Sequence, residues 1–430
     1  MRNEIKIPVN KDFNLYFDEW KDFQNKVSRP YKDRYINSIY YDDDNFTTAQ
    51  NNLSGIRMQR YHNLDFLRAF AMIMGLAIHA PLLFWQPDFA KMFGIENIAP
   101  AEEWINIIGR YINNWRMPLF FLISGFFSVL IIETKGTLKF VKDRVIRVGL
   151  TCLVFSSLYD ILDGRFDFTT QHLWFLYELM IFVLCFSLLY GVQTIKNLLN
   201  KEVSTRILLI LFLWLVATVP LGNILNNWWH PLAWKPSTTY FDVKLGNMVY
   251  YFSYFLAGVL LYSNQHIFRK LQSGKTVLVL GIISVFAFLF RVYTDYLALG
   301  GVEDLKNLAQ LQFDPVLVFF NSLIIGVNTV CWCLFFIGLT SKFILSSSTI
   351  LRWFVELSYP IYIVHIIPVV MMSAIFYRAG FNQVSIFILT IITGFIVCVI
   401  LYYIFIKFTP LNWILNGYSK SPLKVKLMGR

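Results

Sequence analysis

Apolar stretches of about twenty residues recur along this chain from Leu64 nearly to the C-terminus, and each is long enough to cross a bilayer as a helix. In hydrocarbon every backbone N–H and C=O needs an internal partner, which leaves only α-helices and closed β-barrels. Runs this continuously apolar exclude a barrel, whose strands alternate apolar and polar positions. The sequence therefore predicts an all-α polytopic membrane protein with about ten transmembrane helices. Composition agrees: 56% of residues are apolar and 15% charged, against roughly 25% charged in a soluble domain.

The polar breaks place helices near 64–85, 117–132, 145–162, 172–192, 205–221, 245–262, 276–297, 314–340, 350–377 and 384–408. Ten spans put both termini on one side. If that side is cytoplasmic, the inner loops and tail carry eighteen Lys/Arg and the outer loops eight, Arg110 and Arg116 among them. The positive-inside rule favours this orientation, so the lipid bilayer, as a bacterial cytoplasmic membrane, is the expected setting. The outer loops also hold Trp228, Trp229, Trp234, Glu303 and Asp304, near Trp104, Trp115, Glu102 and Glu103, a face suited to a polar acceptor such as a sugar.

Residues 1–62 hold ten Lys/Arg and nine Asp/Glu, a balance unlike a polybasic lipid-binding arm. They read as a cytoplasmic extension, 63–412 as the membrane domain and 413–430 as a basic tail. No apolar stretch follows a basic cluster at the N-terminus, so no cleavable signal peptide is expected. The five cysteines fall inside apolar segments, and Cys331 and Cys333 lack partners for a zinc site. No metal, no permanently bound cofactor and no nucleic acid is expected, and an oligomer is compatible with the sequence.

The first apolar segment, YHNLDFLRAFAMIMGLAIHAPLLF, carries Asp65, Arg68 and His79. Each costs on the order of 2–3 kcal/mol near the bilayer centre, so such residues face the interior and usually serve a function. Asp65 and Arg68 are three apart and can pair. Arg68, Met72, Gly75 and His79 share one helical face. The rise from Arg68 to His79 is about 16 Å, comparable to an extended pantetheine arm, and Gly75 leaves room for such an arm. An acyl-CoA could then anchor its charged end at Arg68 and present its thioester near His79.

Other polar residues fall on the same apolar framework. Arg116 precedes Met117 and Pro118 at the expected start of the second helix, where a proline costs nothing. Lys142, Arg144 and Arg147 lie in the first inner loop, and guanidinium forks at three-residue spacing suit phosphates. The segment QHLWFLYEL brings His172, Trp174 and a buried Glu178, which needs a cation such as Arg116 or His79. Arg291 and Asp295 are four apart and can satisfy each other. Tyr362 and His365, in VELSYPIYIVH with Glu356, share a face.

Taken together these segments resemble the acyltransferase-3 family of membrane acyltransferases, and within it the subgroup that acts on periplasmic glucans. The family's Arg and His on the first helix are matched by Arg68 and His79, and its Arg-x-x-Arg pair by Arg144 and Arg147. RMPLFFLISGFFS, HLWFLYEL and SYPIYIVH are similar to its recurring segments. The resemblance implies transfer of an acyl group, acetyl or succinyl, from cytoplasmic acyl-CoA to a hydroxyl of an extracytoplasmic carbohydrate. His79 would act with Arg68 and Glu178 as the catalytic set. Arg68, Arg144, Arg147 and Lys142 would hold the donor, and Arg116, His172, Trp174, Tyr362 and His365 the substrate. A succinyl group would call for an extra cation near the thioester, for which Arg116 is placed. The alternative is a secondary transporter whose Arg68, Glu178, Arg291 and Asp295 line a path.

Overall fold

The structure, a computed structural model, describes residues 61–417 other than 165–166, 200, 228–237, 300–313 and 347, together with Pro422. The expectations for residues 1–60 and for the tail beyond Gly417, and those for Trp228, Trp229, Trp234, Glu303 and Asp304, lie outside the described residues.

The main helices are α1 (His62–His79), α2 (Glu103–Lys135), α3 (Thr137–Leu162), α4 (Gln171–Gly191), α5 (Thr205–Leu225), α6 (Leu245–Ser263), α7 (Gly274–Leu299), α8 (Pro315–Phe343), α9 (Thr349–Val364), α10 (Ile366–Arg378) and α11 (Gln383–Ile406). The described residues form no named strand, only an isolated antiparallel bridge between Thr169 and Thr239. Among them, eight helices are long and apolar enough to cross a membrane, or nine if the bent pair α9–α10 is one span. The first expected span, α1, is not among these, because Asp65, Arg68 and His79 in eighteen residues lower its hydropathy. Instead α1 is packed among α2, α8, α9, α10 and α11, protein rather than lipid around its charges.

Three breaks depart from the expected helices, each with a local cause. The first helix ends at His79 and a separate turn, Leu82–Trp85, follows, because Pro81 has no N–H for the carbonyl four residues back. The ninth expected helix is bent by 73° between α9 and α10, with His365 at the joint; Pro368 removes another such bond. The second helix begins fourteen residues early, at Glu103, so Arg110 and Arg116 belong to the helix rather than a loop. Pro118 is thus internal and frees the carbonyl of Asn114. The Thr329 hydroxyl of α8 donates to that carbonyl at 3.2 Å, the neighbouring-helix repair that a membrane demands.

Helices α2 and α6 meet backbone to backbone. A Cβ on Gly125 would stand 1.9 Å from the Phe255 carbonyl oxygen, and one on Gly258 1.8 Å from that of Leu122, so only glycine permits the contact. Around this seam the core is aromatic, with Phe121, Phe126, Phe175, Phe186, Tyr254 and Phe255 buried. Trp115, expected on the outer face, is buried and stacks on Phe70 at 5.8 Å. The cysteines are unpaired; Cys185 is exposed and the others buried.

Candidate active site

One end of α1 opens onto a cavity of about 400 Å³, within the range of small-molecule sites. Arg68 lines it with Arg144 and Arg147 of α3, so the three expected donor-binding arginines converge. Arg68 is held by Asp65 at 3.1 Å and lies 5.3 Å over the Phe127 ring. Arg147 sits in a π-helical stretch, Val145–Leu150, a local irregularity frequent at functional sites. Its backbone carbonyl accepts from Tyr359 at 2.5 Å, and its Nε donates to the carbonyl of Leu415 at 3.2 Å. A fourth guanidinium, Arg352 of α9, lines the same cavity, as does Glu356, whose Oε1 accepts from Tyr402 at 2.5 Å. Arg352 escaped the sequence reading; its only signal was the spacing of four to Glu356. Lys142 is exposed and does not line the cavity.

At the other end of α1 three histidines from three elements meet. The ring of His79 lies 5.1 Å from that of His365 and 6.5 Å from that of His172, and His172 lies 5.3 Å from His365. Each occupies a place where regular helix stops: the last residue of α1, the 3-10 turn that opens α4, and the joint between α9 and α10. The bend exposes the last carbonyls of α9, which have no intrahelical donor. His365 Nδ1 bonds the Tyr362 carbonyl at 2.6 Å, and His172 Nε2 the Ile363 carbonyl at 3.2 Å. A carbonyl only accepts, so each of these nitrogens carries a proton. Tyr159 also donates to Ile363, at 2.9 Å, and the Tyr362 hydroxyl donates to the His172 carbonyl.

The turn carrying His172 is held from below by Asp160. Its carboxylate accepts from the Thr169 amide at 2.9 Å, the Thr169 hydroxyl and Gln171 Nε2 at 3.1 Å. Phe168 and Gln171 there take φ of 51° and 48°, a left-handed conformation that non-glycine residues adopt only when held.

Arg116 enters this cluster from α2. A Cβ on Gly75 would stand 3.4 Å from Arg116 Nη1 and 3.1 Å from His365 Nε2. The space that Gly75 leaves is therefore occupied by these two side chains, not open for an extended arm. Glu178 is fully buried but forms no ion pair with Arg116 or His79 among the described residues; the Asn247 amide and Tyr251 are its polar neighbours. Trp174 packs on Tyr251 at 5.5 Å and stays out of the histidine cluster.

The charges of α7 form a separate, closed network. Arg291 pairs with Asp295 at 3.4 Å and donates to Asn114 at 2.7 Å; Arg110 reaches Asp295 at 3.9 Å, and Asn321 donates to it at 2.8 Å. Arg291 and Asp295 form an ion pair at the predicted spacing, although the facing atoms, Arg291 Nε and Asp295 Oδ2, make no hydrogen bond, and neither residue lines the arginine cavity. No group of three or more His, Cys, Asp or Glu among the described residues is arranged to hold a metal ion.

A family model described as an acyltransferase domain matches residues 61–403. Glucans biosynthesis protein C of Escherichia coli strain K12 is 25% identical over 247 residues, which cover 50% of this chain and 61% of that protein. Its counterpart from Escherichia coli O81 strain ED1a is 25% identical over 260 residues, 52% of this chain and 65% of that one. The chain thus spans less than two thirds of the length of these curated relatives. No solved structure matches.

Proposed function

The chain belongs to the acyltransferase-3 family, and from that premise we propose that it is a membrane O-acyltransferase moving an acyl group from cytoplasmic acyl-CoA to a hydroxyl of an extracytoplasmic glycan. The observation that carries the reading is the division of α1: a four-arginine cavity at one end and a three-histidine cluster at the other. The name of the Escherichia coli relatives supports a glucan as acceptor.

Arg68, Arg144, Arg147 and Arg352 suit the phosphates of coenzyme A, since planar guanidinium forks bind phosphate oxygens bidentately. The cavity also touches Met72, Phe120 and Leu176, apolar contacts for the pantetheine arm. His79 is partly exposed, as is His172, beside the buried His365, and serves as general base on the acceptor hydroxyl, a role that contributes roughly 10²–10⁴-fold. In this reading both termini and the arginine cavity face the cytoplasm of a bacterial inner membrane. The closed Arg291–Asp295 network offers no support for a transport path.

Substituting His79→Ala in purified protein should abolish ester formation while leaving acyl-CoA binding intact; transfer that survives the change would remove His79 from the mechanism. Mass spectrometry of envelope glycans with and without the gene then names the acyl group and its acceptor together. An unchanged glycan profile counts against the reading.

A further inference from the structure

We propose that Arg116 is a further catalytic residue, whose guanidinium holds the acyl carbonyl oxygen as that oxygen becomes negative during transfer. The proposal rests on the acyl-transfer reading above and supplies a group that reading lacks.

Arg116 is 6% exposed, and its Nε and Nη1 have no hydrogen-bond partner. No carboxylate pairs with it among the described residues. Its electrostatic neighbours are the three imidazoles of His79, His172 and His365 and the hydroxyls of Tyr362 and Tyr251. A buried cation without an anion is a standing cost, and one with two donor nitrogens also unmet points to an anionic oxygen that arrives with the substrate.

Position agrees with charge. Along the shared face of α1, Met72 lines the donor cavity, Gly75 carries Arg116 and His365 against its backbone, and His79 follows one turn later. A thioester whose CoA portion fills the cavity, and whose carbonyl carbon meets a hydroxyl beside His79, has its carbonyl at the level of Arg116.

The step balances with the groups named. The hydroxyl oxygen bonds to the thioester carbon while His79 takes its proton, and the carbonyl π pair moves onto oxygen, opposite the guanidinium. Collapse restores the C=O bond and breaks the C–S bond. The departing thiolate takes the proton from His79, leaving the ester and the free thiol. Donors fixed where charge develops need no reorganisation at the moment of reaction, which is the source of their catalytic effect.

The test uses the full chain in nanodiscs, with acetyl-CoA and succinyl-CoA as donors and glucan oligosaccharides as acceptor, for wild type, Arg116→Gln and Arg116→Lys. Arg116→Gln should lower kcat by roughly 10²–10³ with either donor, with KM and donor binding held within a few-fold, and Arg116→Lys should recover part of the loss. Unchanged kcat overturns the proposal. So does a loss confined to a raised KM for succinyl-CoA, which would assign Arg116 to a carboxylate at the end of the acyl group. Joint loss of donor binding and turnover in both variants would mark a structural role and overturn it equally. Absence of ester from the wild type with both donors would instead bring down the acyl-transfer reading itself.

Discussion

Single residues in this protein are informative in proportion to how badly they fit hydrocarbon. Arg68 and His79 stood out because a charged or ionisable side chain inside an apolar run needs a reason, and the structure sets them at two chemically different ends of α1. Arg352 did not stand out, because at the start of a helix it reads as an ordinary loop charge; only the packing of α9 against α1 brings it to the cavity. Arg352→Gln should weaken acyl-CoA binding roughly tenfold, the loss of one charge-assisted hydrogen bond of about 1.5 kcal/mol, without changing kcat. Isothermal titration with acyl-CoA measures it, and an unchanged affinity would take Arg352 out of the donor site. Gly75 was read as room for a ligand and proves to be room for Arg116 and His365. Sequence shows that a side chain is missing, not what moves into the gap.

At the level of elements, hydrophobic runs located nearly every helix and misjudged three of the breaks. A run of apolar residues says where a segment is buried, whereas a break depends on one proline or one unmet carbonyl. Pro81 and Pro368 lie inside apolar stretches that otherwise read as continuous, so His79 and His365 were placed on unbroken helices. Pro118 was taken for a helix start because the amphipathic turns before it, from Glu103 to Arg116, are too polar to look membrane-bound; they are buried by α7 and α8 through Asn114, Arg291 and Thr329. The glycine seam between α2 and α6 makes a quantitative demand. Gly258→Ala places a Cβ against the Leu122 carbonyl and cannot be relieved by a side-chain rotation. A destabilisation of about 1–3 kcal/mol is expected from such overpacking, read as a Tm several degrees lower in detergent. An unshifted Tm would mean that the two helices can separate freely.

For the whole molecule the central quantity is direction. The proposed acyl-CoA donor, made inside the cell, needs the arginine end to face the cytoplasm, and the positive-inside rule applied to the loop charges supports that orientation. In a Cys185→Ala background, a cysteine placed at the exposed Lys142 should react with a membrane-impermeant maleimide only after cells are opened. One placed at Phe241, which is 83% exposed on the connection between α5 and α6, should react in intact cells. The reverse pattern would place the arginine cavity outside and rule out a cytoplasmic donor.

The glycine seam also decides which parts of the molecule are free to move. With main chain set directly against main chain, α2 and α6 have no side-chain layer to slide on, so Arg116, carried by α2, keeps a fixed address. His365 has no such anchorage: it rides on an elbow between two short helices, tied by hydrogen bonds from His172, Tyr159 and its own ring. A change in the space between Arg116 and His365 that leaves the seam intact has to come from the jointed α9–α10 side.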